Sequence, residues 1–588
     1  MQPGGCLQLI RRFRIPALFC SLAVLVCELI SRPYANMGIC DDGPYVLIAQ
    51  KLAATGHIVY NGWPAAMLVC QLYLGAAFIK LFGFSFTTVR MSTLLVAVLA
   101  AFTIQRIMVR AGISERNATI GTLALVLSPL YLLLSVTFMT DIIGLFAVVI
   151  CLYGCLRALQ SSTPNAAIGW LCFAVAANSL CGTSRQIAWL GVLAMIPSAL
   201  YVLGSRGIWR AGRRALWAGW AATATGALFV FACMHWFARQ PFIQPEHLLP
   251  GAFPLPHILW EFSYSVLDAA LLLLPLMALF LAEVRRTRLR TLAAVAVCFI
   301  GYTFVALHPS HLRSTFPLEP IPAEIGEWVN VHAIYQFLLI KGEPPIFLNT
   351  GTQILLTVMS FGGLLGLFAS FLRPRLTPAS VDAPTRTSWA ELAILLLPFT
   401  IAYALLLTPR AATTGIHDRY LLSLLVVALI FLVRYYQERI QPRLPAASIL
   451  LVAVVAVYSV AVIHNFFSFY RARVAIASEI RASGVPDVSV NNGWEYNFVV
   501  ELQHSDHIND PRIVLPAHAY VKTPPLPADT CPMRWHDFTP HIHPIYGVSF
   551  DPNACYGPAP FAPVHYARWP YRTPGTLYVV RYLPTAKK

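Results

Sequence analysis

The sequence predicts a polytopic α-helical membrane protein of about thirteen transmembrane helices with a small C-terminal extracytoplasmic α/β domain. Three observations predict it. Of 588 residues, 57% are hydrophobic and only 12% are charged, against roughly 25% charge in a soluble domain. Apolar runs of membrane length recur along the chain. Arg residues gather in alternate connections between those runs, as the positive-inside rule requires. This composition excludes a disordered chain, a coiled coil and a soluble multidomain enzyme. Lys plus Arg number 42 and Asp plus Glu 26, for a net charge of +16. The excess follows membrane sidedness. No basic stripe interleaved with aromatics appears, so no nucleic-acid partner is expected.

The first element is an apolar run from Ile15 to Ile30 behind Arg11, Arg12 and Arg14. A cleaved signal peptide would share that layout. Glu28 interrupts the would-be cleavage region and many spans follow, so a signal anchor with a cytosolic N-terminus is expected. Later runs fall near 90–109, 118–138, 142–159, 166–183, 187–204, 215–234, 262–282, 291–307, 353–372, 389–408, 420–433 and 446–464. Five Arg clusters lie between them. They are Arg106, Arg110 and Arg116; Arg206, Arg210, Arg213 and Arg214; Arg285, Arg286, Arg288 and Arg290; Arg373 and Arg375; and Arg434, Arg439 and Arg443. All fall on the cytosolic side if the apolar stretch 65–82 does not cross and is interfacial or re-entrant. The opposite side then receives the connections 31–89, 235–261, 308–352 and 409–419. Residues 1–464 form the membrane domain on this scheme, and 465–588 the extracytoplasmic one. Strand-like segments in the latter are Val488–Val490 and Thr576–Tyr582.

Of 13 Cys, most sit inside apolar runs, as Cys20, Cys27, Cys172 and Cys298 do, and read as small buried hydrophobes. Cys531 and Cys555 lie in the polar C-terminal region. A disulfide between them depends on that region lying outside the cytosol, and spacing alone leaves it open.

Four constellations carry chemistry. The first outer loop reads Asp41-Asp42-Gly43-Pro44-Tyr45. Pro44 suits the first turn of a helix, and Tyr45, Ile48, Ala49, Leu52 and Ala53 follow with helical spacing. Two carboxylates therefore open an amphipathic helix on the membrane surface. A lone acid there would merely complement the helix dipole; an adjacent pair beside lipid points to function. Asp141 stands at the outer end of the third span, as an N-cap or as a second acidic site over the same face. Ser184-Arg185-Gln186 ends the fifth span, and Gly415-Ile416-His417-Asp418-Arg419-Tyr420-Leu421 enters the twelfth. Each Arg either snorkels to headgroups or forks onto an anionic phosphate; Arg419 has Asp418 as a further partner. The pairs His308/His311 and His541/His543 lack the acid or Cys partners of a zinc site. Asn117-Ala-Thr119 matches a glycosylation acceptor but falls in a cytosolic turn. No Walker loop, nucleophile elbow or dinucleotide-binding glycine pattern is present.

Taken together, these residues resemble the C-fold membrane glycosyltransferases that use lipid-phosphate sugar donors, and within them the protein O-mannosyltransferases and lipid A aminoarabinose transferases. The likeness spans about residues 30 to 435. It rests on Asp41-Asp42-x-x-Tyr45-x-x-Ile48-Ala49, on Asp141 at the start of a later helix, and on Arg419-Tyr420-Leu421. Two features depart from the family pattern. The second acid is Asp42 where Glu is usual. The stretch Asn61-Gly62-Trp63-Pro64-Ala65 stands where many members have Lys-Pro-Pro, which moves phosphate binding onto Arg185 and Arg419.

The resemblance implies transfer of a sugar from a polyprenyl-phosphate donor to an acceptor hydroxyl on a lipid, glycan or protein, at the extracytoplasmic face. It assigns the base to Asp41, with Asp42 or Asp141 orienting acceptor or base, and Tyr45, Arg185, His417, Arg419 and Tyr420 as substrate-binding residues. A phosphate leaving group needs cationic stabilisation more than a general acid, so a single inverting displacement with one base is expected. No nucleotide or redox cofactor is implied; a divalent metal stays open. The expected setting is a bacterial inner membrane and its lipids. The alternatives are a flippase for lipid-linked sugars, which would more often show repeated halves or broken helices, and a non-catalytic scaffold, which would not need acids and Arg on one face.

Overall fold

The computed structural model describes residues 4–207, 213–245, 253–306, 340–345, 347–372, 387–413 and 415–584. Its architecture is a helical membrane bundle carrying a small C-terminal α/β domain on one end. Every apolar run predicted from the sequence lies on a helix. Among the described residues, eight helices are long and apolar enough to cross a bilayer, or up to ten if each of two bent pairs is one span. Ile15–Ser31 and Val358–Phe371 are shorter apolar helices, and Leu289–Ala306 is helical as well.

Both breaks have a covalent cause. Glu115–Val126 and Pro129–Ser135 meet at 68°, and Leu255–Leu272 and Leu274–Arg286 at 80°. Pro129 and Pro275 each open the second segment, where a missing N–H and a ring clash end the preceding helix. Ser128 then caps the new start, accepting from the Tyr131 N–H. The stretch expected not to cross contains Val69–Phe82, 14 residues or about 21 Å of helix, short of the ~30 Å hydrocarbon layer.

The two ends of the bundle differ in chemistry. On Asp141–Leu159, Asp141 marks one end; at the other, Leu159 accepts a hydrogen bond from Arg206 through its carbonyl. Arg110 bonds Gln160 at 2.7 Å, Arg106 pairs with Glu115 at 3.1 Å, and Arg434 donates to the Thr387 carbonyl at 2.9 Å. Phe280, just before Arg285 and Arg286, packs on Tyr435 and Tyr436. Members of four Arg clusters therefore share one end. Arg210, Arg373 and Arg375 lie outside the described residues. Asn117 is buried in this end, bonded to Gln437 and the Pro442 carbonyl, which leaves it unavailable for a glycan.

At the other end the domain boundary moves. A cut at 464/465 falls inside one continuous helix, Ala446–Ala482, of 37 residues. At 1.5 Å per residue it is about 55 Å long, enough to cross a bilayer and enter the C-terminal domain. There it docks a sheet of strands β1 (Val490–Asn491), β2 (Tyr546–Ser549), β3 (Val564–Arg568) and β4 (Tyr571–Arg581). The strand order is β1-β2-β4-β3, parallel between β1 and β2 and antiparallel elsewhere. The segment Val488–Val490, expected as a strand, is mostly a 3-10 turn feeding the two-residue β1. Asn465 bonds both backbone groups of Trp569, at 2.6 and 2.7 Å, and Ser468 accepts from Ala567 N–H at 3.0 Å, which ties the sheet edge to the helix. Deeper, Arg473 and Glu495 form an ion pair at 3.1 Å with neither side chain exposed. Cys531 and Cys555 are disulfide-bonded. This joins the loop after the helix Trp494–His504 to the turn after β2.

Candidate active site

Asp41 and Asp42 are neighbours with opposite fates. Asp42 opens the helix Asp42–Thr55, and its side chain is wholly buried. Arg90 grips it in a fork, Nε to Oδ2 at 2.7 Å and Nη2 to Oδ1 at 3.0 Å. Backbone N–H groups of Ile39 and Phe138 add bonds at 2.7 and 3.1 Å. Arg90 in turn donates to the carbonyls of Ala35 and Met37. The Asp42 carboxylate is saturated and lines no part of the cavity described below. Expected among the catalytic residues, it is found tying the loop before the helix to the bundle. In the sequence Arg90 stands as the first residue of the apolar run 90–109. A charge at the mouth of a membrane segment is itself the signal for a buried partner.

Asp41 faces a cavity of about 600 Å³ at the end of the bundle that carries the C-terminal domain. Its carboxylate is held at both oxygens. Arg419 donates to Oδ2 from Nη1 at 3.2 Å and Nη2 at 3.3 Å, and Trp63 Nε1 donates to Oδ1 at 3.1 Å. Asp41 and Arg419 are 378 positions apart in the chain. Their side chains stay 20% and 12% exposed, so the pair is open to a ligand from the cavity. Helix Asp42–Thr55 positions the acid as the sequence spacing predicts, with Tyr45, Ile48, Ala49 and Leu52 buried. It does not lie free on the membrane surface, because the helix Trp494–His504 of the outer domain packs over it.

The cationic wall is built from two junctions. Arg185 follows the helix Pro164–Gly182 and pairs with Asp141. Arg419 begins the span Asp418–Arg439. Tyr420 lies between them, with the Arg185 guanidinium 5.0 Å and the Arg419 guanidinium 5.4 Å from its ring centroid. His417 packs edge-on against Tyr420 at 5.1 Å, and Tyr403 Oη donates to the Tyr420 carbonyl at 2.9 Å. His417 is held well below its ordinary pKa, first by burial and then by the charges of Arg419, Arg410 and Arg185. It is neutral near pH 7. Tyr45, also on the cavity, has its phenol pushed well up, first by burial and then by Asp41.

Asp141 is brought close but stands behind this wall. It is 3% exposed, and it borders a separate void of about 10 Å³ shared with Arg185, Tyr403, Arg419 and Ser423, room for barely one water. Its Oδ1 accepts from Arg185 Nη1, and its Oδ2 is buried with no hydrogen-bond partner among the described residues. Asp141 thus contacts Arg185 and does not line the main cavity. So Asp41, Tyr45, Arg185, His417, Arg419 and Tyr420 share one cavity, and Asp42 and Asp141 support it from outside.

Part of the cavity lining is aromatic. Trp63 sits in the stretch that departs from the family pattern, and Trp494, Trp535 and Phe538 come from the outer domain. Trp63 lies 5.7 Å from Trp494, 4.7 Å from Phe498 and 6.4 Å from Phe538 between ring centroids. Gly62 makes this close approach possible. It has φ +87°, and an added Cβ would come within 2.8 Å of the Ile508 carbonyl oxygen. Trp494 and Phe498 share one face of the helix Trp494–His504, but their meeting with Trp63, Trp535 and Phe538 joins separate stretches of chain that no local spacing links.

His541 bonds Glu501 at 2.6 Å. Among the described residues no group of three His, Cys, Asp or Glu is placed to hold a metal. His308 and His311 lie outside the described residues.

No protein-family profile matches the chain, and no curated protein sequence matches it either. Solved structures do. The crystal structure of ArnT from Cupriavidus metallidurans bound to undecaprenyl phosphate is 14% identical, covering 96% of this chain and 97% of that one, with a TM-score of 0.38. The archaeal oligosaccharyltransferase AglB from Archaeoglobus fulgidus, in complex with an inhibitory peptide and a dolichol-phosphate, is 14% identical over 89% of this chain and 63% of that one, with a TM-score of 0.38. These are chains that this one is similar to, and no residue's role is taken from them.

Proposed function

We propose that the chain is a C-fold membrane glycosyltransferase that moves a sugar from a polyprenyl-phosphate donor to an acceptor hydroxyl, with inversion and with Asp41 as base. The observation that carries this is the contact of Asp41 with Arg419 in a cavity at the end of the bundle, beside Arg185. The lipid tail stays among the helices, and the phosphate comes to the cationic wall. The anionic phosphodiester of the donor competes with Asp41 for the Arg419 fork, and more strongly as its leaving oxygen gains charge. As Arg419 turns to the phosphate, Oδ2 of Asp41 is released to accept the acceptor proton. Oδ1 stays aimed by Trp63 Nε1, 3.1 Å away. The acceptor oxygen then bonds to the anomeric carbon while the carbon–oxygen bond to phosphate breaks. The proton goes to Asp41, and polyprenyl phosphate leaves with its charge held by Arg419 and Arg185. Asp141 keeps Arg185 oriented. His417, being neutral, leaves the net positive charge of the wall to the Arg residues.

On this proposal the cavity end faces away from the cytosol, with the N-terminus cytosolic and the C-terminal domain outside, in a bacterial inner membrane. The test is transfer of labelled sugar from polyprenyl-phosphate donors by the purified chain and by Asp41→Asn. The variant should lose about 10²- to 10⁴-fold in turnover while its affinity for polyprenyl phosphate holds or rises. Transfer undiminished in Asp41→Asn would overturn the assignment of the base. Lipid movement without transfer by the wild type would favour a flippase.

A further inference from the structure

The mechanism uses the charged part of the cavity lining, and an aromatic part has a different composition. It consists of Trp63, Trp494, Trp535 and Phe538, with Gln244 and Arg512 also lining the cavity. These last two bring little free charge. Arg512 forks onto Asp510, Nη2 to Oδ2 at 2.6 Å and Nε to Oδ1 at 3.0 Å, and Gln244 Nε2 donates to the same Oδ2 at 2.6 Å. This wall therefore offers aromatic faces and neutralised polar groups where its counterpart offers guanidinium forks. It also reaches the base directly, through the bond from Trp63 Nε1 to Asp41.

Trp535 stands out within it. It is 41% exposed and belongs to the outer domain, where lipid does not account for an open indole. Its backbone has φ +63° and ψ +17°, left-handed geometry that costs a bulky residue of order 1 kcal/mol or more and that glycine would adopt freely. Phe538 backs the ring at 5.2 Å, fixing it without covering it. Neither burial nor backbone preference explains a Trp here.

Resting on the proposed transferase reading, we infer that this wall is the acceptor subsite and that the acceptor is a saccharide, stacked by the C–H face of a pyranose on Trp535. A pyranose has an apolar C–H face and a hydroxyl rim. The negative face of an indole attracts the slightly positive C–H groups, and the rim hydroxyls extend toward Gln244 and the Asp41 carboxylate. A lone Ser or Thr hydroxyl has no such face to stack. An anionic headgroup would choose the cationic wall over neutralised polar groups. Trp535 is on this account a substrate-binding residue that selects the acceptor and leaves the donor step alone.

The test uses the full chain in nanodiscs. Saturation-transfer NMR with neutral disaccharides of mannose, glucose and N-acetylglucosamine, at millimolar concentration, reads the subsite without turnover. A Ser/Thr peptide serves as the comparison probe. The wild type should bind at least one disaccharide through C–H protons on one ring face. Trp535→Gly should bind it at least about tenfold more weakly, Trp535→Phe should retain it, and all three should bind polyprenyl phosphate alike. Thermal unfolding of Trp535→Gly should occur no lower than wild type, since glycine relieves the left-handed backbone. Equal disaccharide binding by wild type and Trp535→Gly overturns the inference, as does failure of every disaccharide to bind or binding of the peptide alone. Loss of polyprenyl-phosphate binding in the wild type would instead strike the transferase reading itself.

Discussion

Asp41 and Asp42 share a backbone turn, a charge and an Arg partner apiece, yet one is buried to 0% and the other is 20% exposed beside a cavity. Asp42 has two Arg90 bonds and two backbone N–H bonds. A buried carboxylate with every lone pair used is a structural bolt, because moving its proton or its partner strands a charge in a low-dielectric interior. Asp41 keeps a contact from Arg419 at 3.2 to 3.3 Å that a competing anion can take over. What separates a bolt from a base is thus the replaceability of the partner, and residue type does not reveal it.

Exchanging the two roles should fail in opposite ways. Asp42→Ala leaves Arg90 unpaired with no exposure to water, at a cost of about 3–5 kcal/mol. That is a large share of a typical folding free energy. It should appear as a sharply lowered unfolding temperature and poor recovery from the membrane. Asp41→Asn should leave that temperature nearly unchanged, since its site is partly hydrated, and lose only turnover.

A finer separation comes from the second line of support. Asp141→Asn keeps the volume but removes the charge that fixes Arg185, so it should weaken polyprenyl-phosphate affinity and raise donor KM by about tenfold to a hundredfold. Acceptor binding, read by titration, should be unaltered. Equal losses for donor and acceptor would mean that Asp141 reaches the reacting groups directly.

Reduction of Cys531–Cys555, or Cys531→Ser, should destabilise the outer domain by about 3 kcal/mol on the chain-entropy account, from a sequence separation of 24. The membrane bundle should keep its helicity, as circular dichroism during thermal unfolding would show. The smallest effect is expected at His417. In the unfolded chain it protonates near its ordinary value of 6.5, whereas in the fold burial and then Arg419, Arg410 and Arg185 hold it well below. The unfolded chain thus takes up the proton first. Stability tied to the neutral ring is complete above about pH 6.5 and is lost as pH falls. His417→Asn should flatten the decline in unfolding temperature between pH 7 and 5.

The sequence discloses what depends on local pattern. Hydropathy located each apolar helix, and the Pro44 turn with its helical spacing placed Asp41 correctly. Charge sorting puts Asp41, Asp141, Arg185 and Arg419 on one face, because sidedness follows from where Arg collects; of these, Asp41, Arg185 and Arg419 line one cavity and Asp141 borders a separate void. Pairing is another matter. Arg90 belongs to Asp42 and Arg419 to Asp41 through contacts 48 and 378 positions apart, and no periodicity encodes that choice. The aromatic wall joins Trp63 to residues more than 400 positions later by packing alone. The two broken helices were legible in principle, since Pro129 and Pro275 stand inside apolar runs.

The two ends of the bundle offer the most direct test. Both carry Arg, but Arg106, Arg206 and Arg434 at one end are tied to Glu115, Glu391 and Glu438, while Arg419 at the other holds the exposed Asp41. A structure of the full chain with polyprenyl phosphate bound should show the phosphate within hydrogen-bond distance of Arg419 and Arg185, and Asp41 released from Arg419 but still bonded to Trp63. A phosphate bound at the Arg106 end, or seated in the cavity with the Asp41–Arg419 pair intact, would contradict the account.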